Sequence, residues 1–469
     1  MRNQTILAVV CALATASCAT PGHSPDPIPL QDPAALTATQ TLASADKASA
    51  PTDQWWHEYG DPQLDALVKR SIEASPTLDV AVARAREAEA ALESARGRTF
   101  PTVGAQVAMP YERQSENGLI PPPYAGSSEW NPDARLSLSY LLDFWGRNRA
   151  ALAASLSAVR AAGYEAEAIR QTLISQIVST YVSYAGNFGQ QKLAEQLVDA
   201  RKTQLELTQQ RVNAGVDTQA ELRAAEAALA QARAELAGQE EKVTSAKLAL
   251  VALAGEGPDD ASGLQPPALH SPRFGLPSQL PAELLGRRPD VAAVREQIET
   301  AEQQVKVART EFYPNINLSA FVGLSSYGLD NWLKAGSRIA GVTPAISLPI
   351  FDAGQRRANL RGREAQRDSA IATYNAVLER ALYEVANTLS QLKSVDIQRP
   401  QLDQAVDAAA DAWRIARLRY ERGLGNYLTV VNAEAQWISA SRARVDLDSK
   451  ALSAAAALAR AVGGGWQPG

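Results

Sequence analysis

Two hydrophobic periods alternate along the chain, and the alternation occurs twice. Val103, Ala105, Val107 and Met109 fall on one side of a period of two that begins at Thr102. Leu136, Leu138, Tyr140 and Leu142 repeat it after a loop from Pro110 to Pro132 that holds Pro121-Pro-Pro-Tyr124. Each run is about ten residues with one apolar and one small or polar face, the pattern of a β-strand between lipid and water. From about 147 to 213 the period becomes helical: Ile169, Leu173, Ile177, Tyr181, Tyr184 and Phe188 step by three and four. Gly215 ends this helix, and the capping box Thr218-Gln-Ala-Glu221 starts another. Leu222, Leu229, Leu236, Val243 and Leu250 there recur every seven residues, with Ala225, Ala232, Ala246 and Leu253 offset by three, a coiled-coil seam.

The order then repeats. Ahead of the first strands, short helices are expected over about 63–74 and 77–98; in the second half a helix is expected over about 288–311. Alternation returns over about 315–324 (Ile316, Leu318, Ala320, Val322, Leu324) and 342–350 (Val342, Pro344, Ile346, Leu348, Ile350). A long helix follows over about 355–421, Gly423 ends it, and a last helix over about 427–462 carries Val431, Ile438, Val445, Leu452 and Ala459 at sevens. Phe100-Pro101 corresponds to Tyr313-Pro314, Gly146 to Gly354, and Arg211-Val-Asn-Ala-Gly215 to Arg419-Tyr-Glu-Arg-Gly423. These matches indicate internal duplication, with repeats over 53–254 and 282–462, a Gly/Pro-rich linker over 255–281 and a tail over 463–469. At about 1.5 Å per residue each long helix measures roughly 100 Å, and its two shorter flanking helices together match it. The expected fold is mainly α with a small β part, built from a duplicated helix–strand–strand–long helix–helix unit.

The N-terminus changes the picture. Residues 6–16 form an apolar run behind Met1-Arg-Asn-Gln-Thr, too short to span a bilayer, ending Thr15-Ala-Ser-Cys18. This resembles a bacterial lipoprotein signal over 1–17 with Cys18 as the lipidated first residue; an ordinary cleaved signal peptide is the alternative. Ala19, in place of the Asp common in lipoproteins held at the inner membrane, favours the outer membrane. Residues 18–52, rich in Pro, Ala, Ser and Thr, read as a tether. The only other cysteine, Cys11, lies within the signal, so the mature chain forms no internal disulfide.

Among 469 residues the net charge is −5 with no Lys/Arg run, which argues against a nucleic-acid partner. The three histidines, His23, His57 and His270, stand apart without metal-ligand spacing. No phosphate-cradling glycine motif or nucleophile elbow occurs. No catalytic residue, cofactor or metal is expected, and the chain does not read as an enzyme. No later run is apolar enough to span as a helix, so membrane contact falls to the strands and the lipid. Four strands cannot close a barrel and lipid tolerates no unpaired edge, so closure needs several copies. Three give a homotrimer with a 12-stranded β-barrel joined to a long periplasmic α-barrel.

Several motifs carry a family resemblance, in order over nearly all of the mature chain: Trp55-Trp56 with Gly60-Asp-Pro-Gln-Leu64, Gly286-Arg-Arg-Pro-Asp-Val291, Ala308-Arg-Thr-Glu-Phe-Tyr-Pro314 and Ile350-Phe-Asp-Ala-Gly-Gln-Arg-Arg357. They resemble the TolC-type outer-membrane efflux proteins, nearest the NodT-like lipoprotein branch. The resemblance implies a trimeric exit duct for drugs or other small toxic compounds, anchored in outer-membrane lipid, working with a periplasmic adaptor protein and an inner-membrane resistance–nodulation–division pump. It also implies roles for the two tips, Ala214-Gly-Val-Asp217 and Arg422-Gly-Leu-Gly-Asn426. Gly215, Val216, Gly423 and Leu424 would dock the adaptor; Asp217, Tyr420, Thr429 and Asn432 would form a periplasmic gate. Relatives often carry aspartates where Thr429 and Asn432 stand, which leaves Asp217 or Glu434 as the source of any acidic ring. A protein-secretion duct shares this fold, and a non-conducting periplasmic coiled-coil scaffold is the alternative of another class.

Overall fold

A computed structural model describes residues 26–32, 51–274 and 288–467; Cys18 and the segment 275–287 lie outside them. The elements in chain order are α1 (Pro62–Ala74), α2 (Pro76–Gly97), β1 (Thr102–Ala108), β2 (Tyr111–Arg113), β3 (Ser128–Trp130), β4 (Asp133–Leu142), α3 (Arg147–Asn213), α4 (Gln219–Leu253), α5 (Pro289–Thr310), β5 (Asn315–Ser325), β6 (Arg338–Ser347), α6 (Gln355–Glu421) and α7 (Tyr427–Ala461). The chain is mainly helical with a small sheet. α3 and α6 are 67 residues each, and α4 and α7 are 35 each.

Contacts divide the chain into two compact units, each drawing on both sequence halves: residues to Leu30, Arg84–Ala162 and Val294–Tyr374 in one, Gln31–Ala83, Gly163–Ala293 and Asn375–Gly469 in the other.

The first unit holds the sheet, in the order β1-β4-β5-β6, antiparallel throughout. Register places Leu138 between Val103 and Ala320, and Leu318 between Tyr140 and Pro344. One face therefore carries Val103, Val107, Leu136, Leu138, Leu318, Val322, Val342 and Ile346, while Gln106, Ser137, Ser139, Asn317 and Ser319 occupy the other. The apolar face is uncovered: Val342 and Ile346 are 70% and 73% exposed. Pro344 is tolerated because β6 is an edge strand, where a missing N–H breaks no second ladder.

Two strand ends differ from the alternation, and one loop holds a further sheet. β1 stops at Ala108, ahead of Pro110, which has no N–H to donate. β6 starts at Arg338 and stops at Ser347 instead of covering 342–350, because its register is set by β5 from Asn315 to Leu324. The loop from 110 to 132 holds the two-stranded sheet β2-β3, with Tyr111 against Trp130 at 5.3 Å between ring centroids.

The second unit packs around Trp55, Tyr59, Leu64, Leu67, Ile174, Ile177, Tyr181 and Leu250, all essentially inaccessible. Of the α4 heptad residues, Leu222, Leu229, Val243 and Leu250 are buried as their spacing predicts, and Leu236 is half-buried. In α7 the sevens are only half-buried apart from Ala459, and Val430, Leu447, Ala451, Ala454, Ala456 and Leu458 are buried beside it. α7 is packed on more than one side: Val445 and Ser449 press against α3 at Gly189 and Gly186, where an added Cβ would meet them at 3.0 and 2.4 Å. Glycine is what lets these backbones approach so closely.

A polar hub fixes the chain ahead of α1. Asp61 caps α1 by accepting from the Gln63 amide at 2.9 Å, and also accepts from the Tyr181 hydroxyl at 2.6 Å and the Ala268 amide at 3.0 Å. Burial and the bond to Asp61 together push the Tyr181 hydroxyl pKa well above the usual phenol range. The Gly60-Asp-Pro-Gln-Leu64 motif thus ties three separated segments through one carboxylate. Asp61→Ala strands three donors and is expected to lower unfolding free energy by about 3 kcal/mol. Denaturant titration of the purified protein in detergent, beside the half-buried control Thr99→Ala, checks this; equal midpoints for the two variants would refute the hub.

Candidate functional site at the helix tips

The tips follow from how α3 and α6 end. Gly215 and Gly423 adopt φ of +73° and +75°. At the first tip, Gly215 N–H donates to Val212 O at 3.0 Å and Val216 N–H to Arg211 O at 2.9 Å; at the second, Gly423 N–H donates to Tyr420 O at 3.0 Å and Leu424 N–H to Arg419 O at 2.8 Å. Both are Schellman motifs, residue for residue. A left-handed residue is required at the turn, and glycine takes it without a Cβ penalty. The next helices are capped differently. Thr218 and Glu221 form a reciprocal capping box on α4. On α7 the Asn426 carboxamide accepts from the Thr429 amide at 2.9 Å and from its hydroxyl at 2.7 Å.

The residue after each tip glycine is apolar and outward. Val216 is 61% exposed and Leu424 68%, with Leu428 one turn further also exposed. In a Schellman motif such a residue commonly folds back onto the helix. Here both stand free, which leaves two small apolar knobs beside exposed backbone.

Behind the knobs the two tips are clasped. Arg211 meets Asp217 in a two-pronged ion pair, Nε to Oδ2 at 2.9 Å and Nη2 to Oδ1 at 3.0 Å. Its Nη1 donates to the Tyr420 carbonyl at 3.0 Å, and its guanidinium lies 4.4 Å from the Tyr420 ring centroid. The Tyr420 hydroxyl donates to Asp217, and the Thr208 hydroxyl lies 3.2 Å from it. Tyr420 is fully buried among Ala225, Ala416, Tyr427 and Val430. Bidentate geometry and exclusion of water both strengthen such a pair relative to a surface ion pair.

The electrostatics agree. Burial raises the Asp217 pKa, but the hydrogen bonds from Arg211 and Tyr420 outweigh it and hold the carboxyl below its ordinary range. Burial, then the bond to Asp217, push Tyr420 up to about 12. The ionised carboxylate and neutral phenol are therefore the paired states.

Of the eight tip positions marked in the sequence, the structure joins Asp217 and Tyr420 directly. Thr429 serves the α7 cap, and Asn432 is exposed one turn on; neither bonds to the clasp among the described residues. Glu434 is no open acid: it is buried against Arg201 at 2.8 Å, burial raising its pKa and Arg201 opposing the rise. Arg211 and Thr208 are the participants that pattern reading passed over. Arg211 was visible only as a basic residue in a last helical turn, four residues before the tip glycine.

The chain is similar to known proteins over most of its length. A family model described as outer membrane efflux protein matches residues 67–256 and 280–464. Multidrug resistance outer membrane protein MdtP of Shigella flexneri is 30% identical over 425 residues, covering 89% of this chain and 87% of that protein. Fusaric acid resistance protein FusA of Burkholderia cepacia is 33% identical over 370 residues, 77% of this chain and 68% of that protein. The solved outer membrane protein VceC of Vibrio cholerae superposes with a TM-score of 0.84 at 34% identity, covering 89% of this chain and 100% of that one.

Removing one member of the clasp while keeping side-chain size loosens the tips. Tyr420→Phe and Asp217→Asn are expected to speed tryptic cleavage at Arg211 or Arg422 several-fold at neutral pH. Rates equal to the parent's in both variants would show that the clasp does not hold the turns.

Proposed function

The chain belongs to the outer membrane efflux protein family, and from that membership we propose that it is the outer-membrane channel of a tripartite efflux system, a passive exit duct for drugs or other small toxic compounds. The relatives named for multidrug and fusaric acid resistance support that substrate class. An inner-membrane resistance–nodulation–division pump supplies the energy, and a periplasmic adaptor joins pump to duct.

One observation carries this reading: a four-stranded antiparallel sheet with an uncovered apolar face and a mainly polar or small reverse, interrupted by Leu141, Phe321 and Ile339. In water such a face would be a liability; against lipid it is the stable arrangement. β1 and β6 each have one unpaired edge among the described residues. In hydrocarbon those edges must be satisfied, and pairing β6 of one copy with β1 of the next does so. Three copies close twelve strands. The matching lengths of α3 and α6, and of α4 and α7, support a duplicated unit with repeats over 53–254 and 282–462. At about 1.5 Å per residue, helices of this length reach roughly 100 Å into the periplasm as an α-barrel. Cys18 is the proposed lipid anchor, and residues 19–52 the tether that reaches it.

At the tips, Gly215, Val216, Gly423 and Leu424 are the proposed adaptor contacts: paired apolar knobs beside backbone that lacks side chains suit a partner's own helical tips. Asp217, Tyr420, Thr429 and Asn432 form the proposed gate, with Arg211 as its cationic centre. The acid there is neutralised within the chain, so closure in this protein rests on packing and the clasp.

The gate reading fixes a pH window. The Asp217 contribution is present above its unfolded pKa of about 3.9 and is lost as pH falls through its lower folded value; the Tyr420 contribution is present below about 10 and is lost as pH rises through its higher folded value. Single-channel conductance in planar bilayers is therefore expected to stay level from about pH 5 to about pH 9 and to rise outside the window. Tyr420→Phe and Asn432→Ala are each expected to raise conductance at neutral pH; unchanged currents in both would remove these residues from the gate. Absence of discrete currents from the parent protein would point to a scaffold.

A deletion strain separates efflux from protein secretion. Loss of the gene is expected to raise accumulation of small toxic compounds several-fold and leave exported-protein levels unchanged. The reverse pattern would assign the duct to secretion.

A further inference from the structure

A cavity of about 460 Å³ lies between the first turn of α3 and the last turns of α5, where β4 hands over to helix and helix hands over to β5. Its lining includes three cations, Arg149, Lys306 and Arg309, and no carboxylate. Arg149 is shared with Asp143 at 3.5 Å and Arg309 with Glu364 at 3.6 Å, both outside the lining. Lys306 is exposed and pairs with no carboxylate among the described residues. The cavity is thus left with an excess of about one positive charge.

Its wall is aromatic. The Trp145 and Tyr313 rings stack at 4.8 Å with 17° between planes, and the Trp145 indole N–H donates to Pro314 O at 2.8 Å, which fixes the pair. Phe144 in the β4–α3 junction, and Phe100 and Phe351 in the α2–β1 and β6–α6 junctions, are all more than 60% exposed. Exposed aromatic side chains beside cations at the end of an apolar strand face are the composition of a membrane–water boundary.

We propose that this cavity binds the phosphodiester head group of an anionic phospholipid, with Arg149, Lys306 and Arg309 around the phosphate and the Trp145–Tyr313 stack against the glycerol and upper acyl region. The site rests on the membrane-channel reading, because that reading puts the strand–helix junction at the bilayer surface. One unit of excess positive charge matches the net charge of phosphatidylglycerol and not that of zwitterionic phosphatidylcholine. Attraction at a lipid surface is worth about 1 kcal/mol per basic residue, so a defined cluster discriminates where a lone lysine does not.

The test is native mass spectrometry of the protein purified in detergent, offered phosphatidylglycerol and phosphatidylcholine of matched acyl chains. The parent is expected to retain phosphatidylglycerol at least ten-fold over phosphatidylcholine. The K306Q/R309Q double variant is expected to lose at least ten-fold of that preference, and K306R/R309K to keep it. Inorganic phosphate at the same concentration is expected not to displace the lipid. Equal retention of the two lipids by the parent, an unchanged preference in the glutamine variant, or displacement by phosphate alone would each overturn the proposal. Bilayer conductance of the same parent preparation reports the channel reading separately: a conducting protein without lipid preference fails the head-group site alone.

Discussion

Backbone polar groups must find partners, and lipid offers none. That constraint governs the sheet. β4 and β5 are paired on both sides within one chain, whereas β1 and β6 each keep a free edge. The side chains follow the same logic, since alternation places most large aliphatic groups of the four strands on one face, Leu141 and Ile339 being the exceptions. The sheet is therefore incomplete twice over, at its edges and on its apolar face. On the proposed reading, copies of the same sheet supply the first lack and lipid the second.

The helices meet a different demand. Segments of 67 residues are not held by propensity alone, because helices within proteins draw most of their stability from tertiary packing. Packing comes from alanine-rich seams and close contact at Gly186 and Gly189, with one aromatic core anchored by the Asp61 hub. The hub joins residues 61, 181 and 268, so a short N-terminal motif fixes one long helix and one loop, each more than a hundred residues away.

Helix ends were legible because their causes are local. Both long helices stop at a glycine in the αL conformation and restart at a capping residue, and both stretches span the residues that the periodicity indicated. Strand ends were less legible. β6 is registered by its partner across a loop, and β2 and β3 are three residues each, too short for any period to show. The α7 seam misled because sevens describe contact with one neighbour, while this helix is packed on several sides. At the tips Tyr420 and Asp217 could be named, but not their link through Arg211. That contact crosses 209 residues of sequence and has no pattern of its own.

The clasp shows how a repeated structure becomes asymmetric. The two Schellman turns are equivalent bond for bond, yet Val212 stands where the second tip has Tyr420, and Gly425 where the first has Asp217. An acid at both tips would place like charges in one small volume, and a tyrosine at both would leave a buried hydroxyl without an acceptor. One of each, bridged by Arg211, satisfies every member. The turns themselves need only glycine and backbone hydrogen bonds, so the clasp adds nothing to their shape. What it adds is a link between them: the carbonyl of Tyr420 that closes the second turn also accepts from the arginine that pairs with the first. Two turns joined in this way are held to each other through one arginine.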